Sequence, residues 1–230
     1  MPESRSAEKV PVPFLRTLDD EALRVLISAG GTRDYGVGDT LFHQGDPSRH
    51  LLIVHDGWLK VTAVSRSGRE ALLAIRGPGD IIGELSAVDG RSRGATVRTF
   101  TTVRATLLSS ERFLLAMAEL PDLSLAVMRH IAANLRDADA KRTEYGGSSG
   151  HERIIGMLLE LSTRYGKAVA DGRVISIPLA QRELAAAVGV SREVAARTLR
   201  ALRERGVLKT ARQRIVILRQ DLLKMLAKSV

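Results

Sequence analysis

The hydrophobic period of this 230-residue chain changes near residue 110, and that change constrains the fold more than any single motif. Across residues 33–108, short β-prone runs (HLLIVHDGWLKVTAV, EALLAIRG, ATVRTFTTVRATLL) alternate with turn signals such as QGDPS, RSGRE and GPGD. Short strands at this spacing predict a small β-barrel, roll or sandwich. A short helix with an acidic first turn is expected just before it, over residues 18–29. From Glu111 onward the pattern is helical, and Pro121-Asp122 opens a long segment. Ser124, Met128, Ile131, Leu135, Ala138, Arg142 and Tyr145 recur at alternating steps of four and three, a heptad-like seam. Such a seam packs on the chain's own barrel, joins two subunits, or does both; joining two subunits is the preferred reading. The fold class is therefore α+β, with a β-rich front and a helical back.

GGSSG, residues 146–150, then breaks the helical pattern and suits a hinge. The charge balance shifts at the same place. Residues 1–149 carry 19 Lys and Arg against 19 Asp and Glu, whereas residues 150–230 carry 16 against 7, so the net charge of +9 sits in the last third. A neutral front and a basic back point to two tasks, the second of them meeting a polyanion. The expected division is 1–120, 121–145 for the long helix, 146–150 for the hinge and 151–230. Beyond the hinge we expect a helix over about 152–164, a loop, two helices in quick succession, a β-hairpin in GVLKTARQRIVIL and a short last helix over 220–228.

The pair of helices falls in QRELAAAVGVSREVAARTLRAL, residues 181–202. Ala185 is small where two helices cross steeply, Gly189 allows the tight turn, and Ser191 is placed to cap the second helix. At about 100° per residue, Ala195, Leu199 and Leu202 share one stripe. Arg192, Glu193, Ala196, Arg197 and Arg200 lie on the outward side. Arg donates twice to guanine O6 and N7, and Glu accepts from cytosine N4, so this face is suited to reading G·C pairs in a major groove. The plainer reading is a solvated helix with a Glu193–Arg197 pair at i,i+4. Lys209, Arg212 and Arg214 on the hairpin are expected to contact phosphates.

A second signature is GDIIGELSAVDGRSRGATVRT. Gly83 permits close backbone approach, Glu84 can accept from a sugar hydroxyl, Leu85 and Ser86 offer backbone N–H groups, and Arg93 supplies a countercharge for a small anion.

Over residues 15–218 the chain resembles the cyclic AMP receptor/fumarate-nitrate regulator (Crp/Fnr) family of bacterial transcription factors. The resemblance rests on LFHQGDPSRHLLIVHDGWLKV, GDIIGELS, RGATVRT, the long helix and VGVSREVAARTLRAL, in that order. It implies an N-terminal cyclic-nucleotide-binding β-roll, a long dimerisation helix and a C-terminal winged helix-turn-helix. It implies a homodimer on double-stranded DNA with two-fold-related half-sites, TGTGA-like in members with this recognition helix, and contact with RNA polymerase. By carry-over, Arg192, Glu193 and Arg197 match base-reading positions, and Ser191 matches a phosphate contact. Gln181 stands where close relatives of the cyclic AMP receptor often carry Arg, and Val194 where they carry Thr.

The effector site implied by the resemblance comprises Gly83, Glu84, Leu85, Ser86, Arg93, Gly94, Ala95 and Asp139. Gly94 replaces the Ser or Ala that follows the family's arginine, removing a hydroxyl but keeping a backbone N–H. Ala138 and Asp139 stand where adjacent hydroxyl residues would meet adenine; Asp139 can accept from an adenine amino group or from guanine N1–H and N2–H. Cyclic AMP, another cyclic nucleotide or dinucleotide, and no nucleotide at all remain open as effectors, so no cofactor is assigned.

Two other functions stay open: a constitutive DNA-binding regulator whose roll is structural, and a nucleotide-binding module that regulates a partner protein. An enzyme is not expected, because HExxH, GxSxG and GxxxxGK[ST] are all missing. His43, His50, His55, His130 and His151 show no ligand spacing and read as surface or packing residues, so no metal site is expected. The chain has no cysteine, which excludes disulfides and cysteine-ligated iron–sulfur clusters and removes one axial ligand for haem. No apolar run nears the roughly 18 residues of a membrane span, and no signal peptide is read at the N-terminus. A cytoplasmic location is expected.

Overall fold

The structure is a computed structural model and describes residues 12–228 apart from 66, 67, 69, 178–180, 212 and 213. The side chains of Arg142 and Tyr145, and all of Arg212, lie outside the described residues.

Among the described residues, eight antiparallel strands build the front domain. One sheet has the order β1 (Gly31–Tyr35), β8 (Val103–Leu108), β3 (Leu51–Asp56), β6 (Ile81–Ile82). The other runs β2 (Thr40–Phe42), β7 (Thr96–Thr99), β4 (Leu59–Val64), β5 (Glu70–Arg76). The apolar run of β3 is buried on both faces, which is why it does not alternate with polar residues. Leu52 and Val54 point inward to Phe42, Leu59 and Val97. Leu51 and Ile53 point the other way, to Phe14 in the 3-10 helix Phe14–Thr17 and to Leu26, Phe113 and Leu123 on the flanking helices.

Those helices are α1 (Asp20–Ser28), α3 (Ser110–Glu119) and α4 (Pro121–Gly147), with the short α2 (Glu84–Asp89) between β6 and β7. Asp19 and Ser109 cap α1 and α3 by accepting from the backbone N–H groups of Ala22 and Arg112. On α4 the seam splits by burial. Ile131 packs toward the roll, whereas Met128, Leu135 and Ala138 are exposed on the single chain.

The back domain contains α5 (Gly150–Tyr165), β9 (Lys167–Val169), β10 (Gly172–Ile175), α6 (Gln181–Ala187), α7 (Arg192–Glu204), β11 (Leu208–Ala211), β12 (Arg214–Ile217) and α8 (Gln220–Lys228). Two expectations need correction. The segment after α5 is not a loop: β9 and β10 form a hairpin that extends the wing into a four-stranded sheet, β11-β12-β10-β9. Nor does GGSSG break the helical pattern over its whole length. Gly146 and Gly147 continue α4, and Gly150 already belongs to α5. Only Ser148 and Ser149 separate the helices, and Ser149 is a cap. Its hydroxyl accepts from Glu152 N, and Glu152 Oε2 accepts from Ser149 N at 2.6 Å, a complete capping box.

The back domain rests against the roll. Ile75 of β5 joins its buried core, and Trp58, Leu72 and Phe100 pack on that core from the roll side.

Candidate nucleic-acid interface and effector pocket

Gly189 has φ +65°, the left-handed conformation that closes the turn between α6 and α7. Val190 N donates to Ala185 O at 3.0 Å across it. Ser191 caps α7 by accepting from Val194 N at 3.3 Å. Ala195, Leu199 and Leu202 are buried, as the helical projection requires. Ser191, Arg192, Glu193, Arg197 and Arg200 are all exposed, as is Gln181 at the start of α6. Glu193 bonds to its own backbone N–H and to the Ser191 hydroxyl, and these bonds, with Arg192 nearby, hold its carboxyl below the usual range. This face of α7 is thus an open row in which Arg192 and Arg197 flank a carboxylate whose ionised form is favoured.

Thr198 was not singled out by the sequence, yet it is buried beneath this face. Its hydroxyl donates to Val194 O at 2.9 Å and lies 3.1 Å from His151 Nδ1, tying α7 to α5. On the wing, Lys209 and Arg214 are exposed. Lys209 Nζ stands 3.6 Å from Asp171 Oδ2 in the β9–β10 turn, a solvated pair that the missed hairpin creates.

In the roll, Gly83 has φ +91° and no room for a side chain. A Cβ there would lie 2.6 Å from Arg93 Nη1 and 3.1 Å from His50 O. Arg93 is buried; its Nη1 donates to Gly83 O at 3.1 Å, its Nη2 to His50 O and its Nε to Ser48 Oγ at 3.1 Å. Its guanidinium also lies 3.7 Å from the centre of the Phe42 ring. Three of its five N–H groups are used by these acceptors, which leaves one on each terminal nitrogen. Burial lowers the arginine's affinity for its proton, while Glu84 and Asp46 act in the opposite sense. Glu84 is buried too, and desolvation pushes its carboxyl up, against its own backbone N–H and Arg76.

The structure therefore brings Gly83, Glu84 and Arg93 together. Ser86 is buried beside them, Leu85 is turned out with 55% of its surface exposed, and Gly94 and Ala95 follow Arg93, with open space over Gly94. Asp139 is exposed on α4, next to Ala138. Phe42, Ser48 and His50 hold the arginine; in the sequence Ser48 falls in a turn signal, His50 reads as a surface or packing residue, and Phe42 carries no role of its own. No group of His, Cys, Asp and Glu among the described residues could hold a metal ion.

A β-roll, a long helix with an uncovered seam and a basic winged helix-turn-helix make the architecture of a two-part DNA-binding regulator. Residues 32–119 match the cyclic nucleotide-binding domain, and residues 152–226 match the Crp-like helix-turn-helix domain. A CRP-like cAMP-activated global transcriptional regulator of Mycobacterium tuberculosis is 30% identical over 184 residues, covering 80% of this chain and 82% of that protein. The cyclic AMP receptor protein of Thermus thermophilus is 29% identical, covering 86% and 88%. FixK2 from Bradyrhizobium japonicum has the same fold, with a TM-score of 0.77 at 21% identity over 87% of this chain and 98% of that one. The c-di-GMP responsive regulator CLP of Xanthomonas campestris has a TM-score of 0.69 at 25% identity, covering 86% and 99%. The chain belongs to the Crp/Fnr family of DNA-binding transcription regulators. No helix among the described residues is long and apolar enough to cross a membrane.

Proposed function

We propose that the chain acts as a homodimer that binds two-fold-related DNA half-sites under the control of a cyclic nucleotide held by the β-roll. The observation that carries the reading is the exposed row Arg192, Glu193 and Arg197 on a capped helix whose other side is buried. Arg192 and Arg197 donate to guanine, Glu193 accepts from cytosine, and Ser191, Gln181, Lys209, Arg212 and Arg214 meet phosphates or the groove edge. Met128, Leu135 and Ala138 on α4 pair with the same residues of a second copy. The pairing sets two recognition helices about 34 Å apart, in successive major grooves.

The two unused N–H groups of Arg93 and the backbone N–H of Gly94 receive the cyclic phosphate, Glu84 accepts from the ribose hydroxyl, and Asp139 faces the base. Cyclic AMP is the first candidate, since one relative is described as cAMP-activated. A cyclic dinucleotide is the second, since another is c-di-GMP responsive. The protein works in the cytoplasm, where DNA and RNA polymerase are, and binds rather than transforms its effector.

Fluorescence anisotropy with a labelled TGTGA-N6-TCACA duplex at fixed salt tests this reading, with no ligand, cyclic AMP, cyclic GMP or cyclic di-GMP. Salt is fixed because phosphate contacts dominate affinity. Tight binding with one nucleotide only is the expected result, and Arg93→Ala removes the response. Equal binding in every condition favours the constitutive regulator with a structural roll.

A further inference from the structure

The junction between the roll and the back domain holds a buried polar cluster that neither DNA reading nor effector binding accounts for. Asp80 ends the GPGD turn before β6 and is wholly buried. Its Oδ2 accepts from Gly77 N at 2.8 Å, within the turn, and from the Tyr165 hydroxyl at 2.6 Å. Its Oδ1 accepts from Arg164 Nη2 at 2.8 Å, where the two side chains are 0% and 2% exposed. Arg164 and Tyr165 form the last turn of α5, the helix that carries the back domain. The Trp58 ring meets Tyr165 edge-on at 4.8 Å and seals the cluster on the roll side.

Burial works against the charge on Arg164, but Asp80, Tyr165 and Glu160 together outweigh it and the guanidinium holds its proton more firmly than usual. Burial and Asp80 together keep the Tyr165 hydroxyl protonated, so it serves as a donor. A buried ion pair of this kind adds little stability over apolar side chains of equal volume, but it accepts few alternative geometries. Here it docks α5 on the roll. In that docking Arg192, Glu193 and Arg197 remain exposed, so the reading face stays open while the domains are joined.

We propose that Asp80, Arg164 and Tyr165 form an interdomain clasp that fixes the DNA-binding unit on the β-roll in its DNA-competent orientation, with Asp80 as a positioning residue for operator binding. The proposal rests on the DNA-binding reading above. The clasp also adjoins the effector pocket: Asp80 is followed by the two residues of β6 and then by Gly83 and Glu84. A ligand that shifts Gly83 and Glu84 therefore pulls on the strand that begins at Asp80.

Amide hydrogen exchange and DNA anisotropy on the full chain, compared with Asp80→Asn and Tyr165→Phe, test the clasp. In Asp80→Asn, exchange should quicken at least about ten-fold in β5 and α6, the elements facing each other across the joint, and stay unchanged in β1 and β8. Affinity for the operator duplex should fall about ten-fold while affinity for a scrambled duplex holds, because a loosened domain still meets phosphates. Tyr165→Phe keeps the ring on Trp58 and should give the same pattern more weakly; it decides the matter if Asp80→Asn does not fold. Unchanged exchange in both variants overturns the clasp. Faster exchange with equal losses on both duplexes, or with no loss on the operator, overturns the positioning role. If the parent chain shows no operator preference, the DNA reading fails instead, and the exchange data still decide the clasp.

Discussion

Arg164 Nη2 stands 2.8 Å from Asp80 Oδ1, and neither side chain reaches solvent. Removing one member of such a pair leaves the other charge buried, which costs about 3–5 kcal/mol. Arg164→Ala is therefore expected to lower the unfolding free energy measured by urea titration by an amount in that range, whereas changing an exposed arginine such as Arg91 should shift it little. A loss below about 1 kcal/mol would mean that water reaches the site and solvates Asp80.

His130 gives the molecule an acid-sensitive point. It sits on α4 against Phe14, and Asn134 Nδ2 donates to its Nε2 at 3.0 Å. Burial, with Arg76 and Arg164 nearby, lowers its pKa to about 4. The unfolded chain binds this proton first, near 6.5, so the contribution is fully present above that pH and is lost as pH falls toward 4. At pH 5 the loss is on the order of 2 kcal/mol relative to pH 7. Urea titrations at the two pH values should show that difference in the parent and a smaller one in His130→Leu.

Much of this fold was readable because its elements carry local signals. The change of period at residue 110, the Ser191 cap and the Gly189 turn placed the long helix and the helix-turn-helix directly. β9 and β10 were missed because each is only three or four residues long, too short for alternation to register, although Ala170-Asp171-Gly172 is a turn between them. Gly146 and Gly147 misled because helix C-termini use glycine as readily as hinges do. The side chains around Arg93 and Asp80 were not legible at all. His50 and Ser48 reach Arg93 through pairings 43 and 45 residues apart, and Arg164 meets Asp80 across 84, distances over which sequence carries no pairing rule.

The uncovered seam on α4 predicts the assembly. Leu135 is 58% exposed and Met128 57% on the single chain. Leu135→Glu places like charges opposite each other in a two-fold interface. Sedimentation equilibrium should then report a monomer where the parent is a dimer, with the secondary structure of the chain retained.

Gly83 tests the pocket. Gly83→Ala combines a disfavoured φ with a contact 2.6 Å from Arg93 Nη1. It should destabilise the roll by more than about 1 kcal/mol and abolish any nucleotide-dependent change in DNA affinity. Gly94→Ser meets open space, so it should be tolerated and should tighten cyclic nucleotide binding by restoring a hydroxyl. Isothermal titration of both variants separates the two effects.

Base reading by α7 is tested most directly by pairing one protein change with a set of DNA changes. The parent and Glu193→Ala are titrated against the TGTGA-N6-TCACA duplex and against duplexes with each G·C pair of the half-site exchanged in turn, at one salt concentration. The parent is expected to lose about 1–3 kcal/mol at each pair it reads, and Glu193→Ala to lose its discrimination at one of those pairs while keeping the rest. An identical discrimination profile in both proteins, or no preference by the parent for any of these duplexes, would contradict base reading by this helix.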